Sequence, residues 1–190
     1  MKGIYEMNLK KQFTTKNLAI LGMLTAMAYI VTVFIRIPLM PAAPFLNYDI
    51  KDVIIAIGGF LFGPLAAVVL SVTVSLLELL TVSDTGIIGF VMNVLSTLAF
   101  VLPASLMYRI KRKKSYAVTG LVTGVIVMSF VMVLWNYFIT PLYMLIPREA
   151  IVPMLPTVFL PFNLIKGTLN TVFTILIYKP LVKAFRAIKM

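Results

Sequence analysis

VIIAIGGFLFGPLAAVVLSVTVSLL, residues 53–77, runs for 25 residues without a charge. About 20 mainly apolar residues suffice for a helix to cross the hydrocarbon core of a bilayer, so the run first reads as one long membrane span. Its interior argues otherwise. Gly58 and Gly59, then Gly63 and Pro64, fall inside it. Paired glycines and a Gly-Pro step mark turns, and proline suits the first position of a new helix. The spacing therefore predicts a short helix over about residues 49–62 and a second over about 64–82. That division sets the helix count, and with it which ends of the chain share a side of the membrane.

The rest of the chain agrees with a membrane setting. Of its 190 residues, 61% are hydrophobic and 12% charged, and the mean hydropathy is +1.04. Soluble domains carry about 45–50% apolar and about 25% charged residues. Further apolar segments cover 18–35, ended by Arg36 and Pro38, and 86–108, closed by RIKRKK (109–114). Residues 115–147 hold no charge, and a helix is expected over about 117–140, stopped by Pro141. PLYMLIPREAIVPMLP (141–156) holds four prolines and reads as a loop with one short helical piece. A last helix is expected over about 157–184. The expectation is an all-α integral membrane protein of six transmembrane helices, with residues 1–190 as a single domain and no internal repeat.

Basic residues orient it. Lys2, Lys10, Lys11 and Lys16 precede the first helix. Arg109, Lys111, Arg112, Lys113 and Lys114 follow the fourth, and Lys179, Lys183, Arg186 and Lys189 end the chain. The alternate connections hold only Arg36, Lys51 and Arg148, with none around Asp84. An even number of spans puts all the basic segments on one side, which the positive-inside rule makes cytoplasmic. Both termini are then cytoplasmic and the chain is a multi-pass protein of the cell membrane. The polar leading segment is too long for a signal-peptide n-region, so the first apolar run is read as a retained helix.

The net charge of +11 is accounted for by topology signals and contacts with lipid headgroups, and nucleic acid is not an expected partner. Cysteine and histidine are missing from the sequence, which removes thiol chemistry and the commonest metal ligand and general base. The acids are Glu6, Asp49, Asp52, Glu78, Asp84 and Glu149. That inventory predicts no catalytic residues, no metal site, no cofactor and no enzyme.

Polar groups placed inside apolar segments are costly and are candidates for function. In PFNLIKGTLN (161–170), Asn163, Lys166 and Asn170 stand at i, i+3 and i+7 and share one helix face. If the helix starts near Thr157, Lys166 lies roughly 15 Å into the bilayer, too deep to snorkel easily. A ligand cavity resolves its desolvation, so Asn163 and Lys166 are candidate ligand residues, with Asn170 assigned to packing beneath. VLWNYF (133–138) sets Asn136 beside Trp135 and Tyr137, an amide among aromatic walls. PLMPAAPFLNYDIKD (38–52) is a proline-stiffened, mostly apolar connection suited to a lid. Asp49 is expected to cap the following helix, with Asp52 at its third position. Glu78 is expected to pair with Lys166 or Arg36 or else to reach water, and Asn93 to bond a neighbouring helix or else to line a pocket. Gly22 and Ala26 form a small-xxx-small pair that admits another helix, either within the protein or from a partner.

FLNYDIKD leading to GGFLFGP, then WNYF and PFNLIKG, in that order along a basic chain of this length, resemble the substrate-binding S components of energy-coupling-factor (ECF) vitamin transporters. The closest likeness is to their riboflavin-specific branch. The resemblance implies six helices and one vitamin held in an outward-facing pocket under the first outer loop. It implies riboflavin as transported ligand, with Asn136, Asn163 and Lys166 as polar contacts and Ala43, Phe45, Leu46, Asn47 and Tyr48 in the lid. It implies a membrane coupling protein and two cytoplasmic ATPase subunits as partners, docked against small residues matching Ala19, Gly22 and Ala26. The chemistry agrees: an amide offers donor and acceptor side by side to an imide edge, and apolar walls suit a flat ring system. An S component for thiamine, pantothenate or biotin stays open as an alternative, as does a self-sufficient secondary transporter using Glu78.

Overall fold

The computed structural model describes residues 14–189 except Asp84, with side chains described up to residue 180. The basic residues Lys2, Lys10 and Lys11, and Asp84, lie outside the described residues, as do the side chains of Lys183, Arg186 and Lys189.

The glycine-proline interruption divides the opening stretch as its residues dictate. Helix α1 spans Thr15–Phe34, α2 spans Lys51–Phe62 and α3 spans Pro64–Thr81. Gly63 joins α2 to α3 at φ 94°, ψ 175°, a conformation open to glycine and strained for other residues. Pro64 opens α3, where its missing N–H costs nothing. Gly59 lets the helices close up: a Cβ there would stand 3.2 Å from the Cβ of Ala67 and 3.0 Å from that of Ser105. With 12 residues, α2 is about 18 Å long, short of the hydrocarbon thickness, and nearly all of it is buried.

Helix α4 spans Gly86–Lys111, α5 spans Lys114–Met144, α6 is a single turn at Arg148–Ile151, and α7 spans Leu160–Lys189 after a π-helical turn at Leu155–Phe159. Among the described residues five segments are long and apolar enough to cross a membrane: α1, α3, α4, α5 and Arg148–Pro180. The bundle core gathers Leu24, Ile55, Leu70, Phe100, Leu121 and Met128 from α1 to α5. Tyr108 and Tyr178 share a hydrogen bond beside Phe60.

Helices α4 and α5 touch along glycines. A Cβ on Gly120 would sit 2.7 Å from the Cα of Ala104, and one on Gly124 would collide with the carbonyl of Phe100. Backbone cannot yield as a flexible side chain can. Gly124→Ala should therefore cost about 1–3 kcal/mol, read as a lowered unfolding midpoint of the purified protein in detergent.

Three expectations are revised. Helix α5 passes through Pro141 and ends at Leu145, φ 55°. Proline there forfeits one hydrogen bond in the final turn, too little to stop a helix that has almost ended. The last helical segment begins before Thr157, because the π-helical turn carries Leu155–Phe159 directly into α7. The proline-rich connection after α1 is also more ordered than a plain loop. Ile37–Pro38 (β1) pairs antiparallel with Asn47–Tyr48 (β2). Beneath this hairpin Ala43 and Leu46 pack with Ile151, Val158, Phe159 and Phe162 into a second apolar cluster. The hairpin is thereby tied to the start of α7.

Candidate ligand-binding site

The candidate site is a cavity of about 280 Å³ between the hairpin and the ends of α3, α4, α5 and α7. Phe45, Leu46, Met92, Met132, Tyr143 and Phe162 make its apolar wall. Arg36, Asn47, Asp49, Glu78, Asn93, Ser96, Asn163 and Lys166 supply its polar lining. Apolar walls with a few convergent polar groups are the usual make-up of small-molecule sites.

The stripe on α7 faces inward. Asn163, Lys166 and Asn170 are 2%, 4% and 0% exposed. The Asn163 amide donates to the carbonyl of Phe159 at 2.7 Å, so the π-helical turn holds it from behind. The Lys166 ammonium donates to Asp49 Oδ2 at 3.1 Å and lies 3.6 Å from Asp52 Oδ2. Asn170 bridges beneath the cavity: its amide donates to Asp52 Oδ2 at 3.3 Å, and its Oδ1 accepts from the Tyr48 hydroxyl at 3.1 Å. Thr97 donates to the other oxygen of Asp52 at 2.6 Å.

A second set of charges adjoins the first. Lys51, 1% exposed, donates to both oxygens of Glu78 at 2.9 and 2.8 Å and approaches Asp49 to 3.7 Å. Asn93 donates to Glu78 Oε2 at 3.2 Å. Asp49, Asp52 and Glu78 thus face Lys51 and Lys166, with Arg36 on the same cavity wall. Burial pushes the Asp49 carboxyl up, but Lys166 and Lys51 overcome it and hold the group below its ordinary value. Burial, and then the charge of Asp49, push the Tyr48 phenol up to about 12.

Two expectations about these acids are corrected. Asp49 does not cap α2. The residue at that position is Ile50, in helical conformation and without a side-chain cap, because the Asp49 carboxylate is committed to Lys166. Glu78 pairs with Lys51 rather than with Lys166 or Arg36, and Arg36 instead donates to the carbonyl of Val82 at 2.6 Å. Lys51 was read from the sequence as a loop charge. Its signal lay in Glu78, an acid inside an apolar segment that had to find a cation.

The structure brings Phe45, Leu46, Asn47, Asn163 and Lys166 to the cavity wall. Ala43 and Tyr48 are buried behind it. Asn136 is fully buried one turn from Met132, its amide donating to the Met132 carbonyl at 2.6 Å and accepting from Thr140 at 2.8 Å. Met92, Ser96 and Tyr143 enter the wall without having been singled out in the sequence. Ala19, Gly22 and Ala26 lie on the exposed face of α1, and nothing stands within 4 Å of a Cβ built on Gly22. Among the described residues no group of acids could hold a metal ion.

A helical bundle with spans long and apolar enough to cross a membrane, and a cavity of mixed polar and apolar lining under a hairpin at one end, is the architecture of a membrane protein with a candidate small-molecule site. Residues 16–182 match the family model of the ECF transporter substrate-specific component, and the chain belongs to that family. It is a transporter component and not an enzyme. It is 32% identical, over 99% of its own length and 100% of the relative's, to the riboflavin transporter RibU of Staphylococcus aureus. It is 30% identical to RibU of Streptococcus thermophilus over 88% of this chain and 83% of that one. The riboflavin transporter FmnP of Bacillus subtilis is 26% identical, over 86% of this chain and 90% of the relative. A solved S component of a bacterial ECF transporter superposes with a TM-score of 0.76 at 30% identity, covering 94% of this chain and 99% of that one.

Proposed function

We propose that this protein is the riboflavin-binding subunit of an ATP-driven ECF uptake transporter in the cell membrane, a single domain over residues 1–190. The flavin occupies the cavity under the hairpin, with its ring system against Phe45, Met132, Tyr143 and Phe162 and its polar edges on Asn163 and Lys166. Asn136 and the lid residues Ala43, Leu46, Asn47 and Tyr48 complete the site, Asn136 and Tyr48 by holding the wall from behind. The buried α2 makes the sixth helix, so that both basic termini face the cytoplasm and the cavity opens outward. Riboflavin is carried unaltered and no cofactor takes part. A membrane coupling protein docks on the exposed face of α1 at Ala19, Gly22 and Ala26, and two cytoplasmic ATPases supply the energy.

The observation that supports this reading most directly is the cavity: apolar on one side, lined with amide and charged groups on the other, in a chain whose relatives are riboflavin transporters along most of their length. Purified protein should quench the fluorescence of added riboflavin or carry flavin absorbance through purification. Colourless protein that leaves riboflavin fluorescence unchanged, while another vitamin binds, would reassign the ligand. The secondary-transporter alternative needs Glu78 available to a coupling ion, whereas Glu78 is bound by Lys51 and Asn93.

Asn163→Ala should weaken riboflavin binding at least about tenfold, since a lost hydrogen bond at a buried site costs about 1–3 kcal/mol. Its only hydrogen-bond partner among the described residues is the Phe159 carbonyl in the preceding turn, so the unfolding midpoint should move little. Titration by fluorescence quenching reads the first effect and a melt the second.

A further inference from the structure

We propose that Asp49 is the hydrogen-bond acceptor by which the site recognises a donor group of its ligand, an imide N–H or a sugar-alcohol O–H. The inference rests on the flavin reading and adds to it a specificity residue on the lid side of the cavity.

One oxygen of Asp49 is occupied: Oδ2 accepts from Lys166 at 3.1 Å and lies 3.7 Å from Lys51. The other, Oδ1, is buried with no hydrogen-bond partner among the described residues. The residue is 4% exposed and lies on the cavity wall. The other acids of the cluster contrast with it. Asp52 has Thr97 on one oxygen and Asn170 on the other, and both oxygens of Glu78 accept from Lys51. A buried carboxylate oxygen left bare is costly, and an ionised carboxylate accepts hydrogen bonds but cannot donate them. Its natural complement is an N–H or O–H arriving from the cavity. Riboflavin carries both kinds, the imide N–H of its ring and the hydroxyls of its ribityl chain. Lys166 beside it offers only donors, so the pair presents acceptor and donor next to each other to a ligand edge that alternates the two.

Asp49→Asn distinguishes this from a role in ion pairing alone. Its amide oxygen would stay with Lys166, turning the amide N–H₂ toward the unpartnered side. A ligand donor would then meet a donor. Affinities of wild type and variant are measured for riboflavin, for N3-methylriboflavin, which lacks the imide N–H, and for lumiflavin, which lacks the ribityl hydroxyls. The variant should bind riboflavin at least about tenfold more weakly. That loss should vanish with one analogue: with N3-methylriboflavin if the imide is the donor, with lumiflavin if a hydroxyl is. Equal losses for all three ligands, or a riboflavin affinity within about twofold of wild type, overturn the proposal while the flavin reading stands. Wild-type protein that binds none of the three overturns both. Should the variant not fold, wild-type protein with ¹³C-carboxyl-labelled aspartate gives the answer by difference infrared spectroscopy. Riboflavin should shift one aspartate carboxylate band, one analogue should not, and no shift with riboflavin overturns the proposal.

Discussion

Lys51→Met should destabilise the protein by about 3–5 kcal/mol, the cost of breaking a buried ion pair from one side. Lys51 is wholly enclosed, and both Glu78 oxygens depend on it at 2.9 and 2.8 Å. Methionine fills much the same space but leaves Glu78, among the described residues, with the Asn93 amide alone and Asp49 with one cation fewer. In a chain of this size such a loss should lower the unfolding midpoint by roughly 6–20 °C. The double variant Lys51→Met/Glu78→Gln should recover most of it, because replacing both charges leaves none unpaired. A single variant melting within about 2 °C of wild type would show that water or another cation reaches Glu78. A double variant no better than the single one would show that Asp49, and not Glu78, is what Lys51 neutralises.

This pair marks the boundary of what the residues disclosed by themselves. The turn at Gly63-Pro64 was readable because a positive φ and a helix start each restrict the residue type. The inward stripe of Asn163, Lys166 and Asn170 was readable because helical spacing fixes a common face. Partnership was not readable. Asp49 had a good local role as a helix cap, and only the tertiary arrangement shows that Lys166, 117 positions away, outcompetes it. Pro141 misled for a related reason. The steric rule holds in a helix interior, but at the end of α5 a single hydrogen bond is at stake. The hairpin over the cavity was hidden because its two-residue strands carry no alternation to detect, and their pairing depends on the apolar cluster packed beneath them.

Lys166→Met should lower riboflavin affinity at least about tenfold and also weaken the fold, and the two effects can be told apart. The ammonium stands between Asp49 at 3.1 Å and Asp52 at 3.6 Å. Without it those carboxylates face each other across a buried space, so the variant is not a clean deletion of a ligand contact. Acidity separates the contributions. Lys166 is one of the cations that hold the Asp49 carboxyl below its ordinary value. A group with a depressed value stabilises the fold above the ordinary carboxylate range, and that stabilisation disappears as the pH falls through its folded value. The gap in unfolding midpoint between wild type and Lys166→Met should therefore be full at neutral pH and narrow only as the pH falls below about 4, the ordinary aspartate value. A gap that ignores pH would mean that Lys166 supports the fold by packing alone. Lys166→Arg supplies the other half of the test. It keeps the cation against Asp49 and Asp52 and should restore most of the midpoint. Its planar fork presents different donors from an ammonium in the same space, so riboflavin binding should remain weakened. Arginine that restored affinity as fully as stability would make Lys166 a counter-ion to the buried acids and move the ligand contact to its neighbours Asn163 and Asp49.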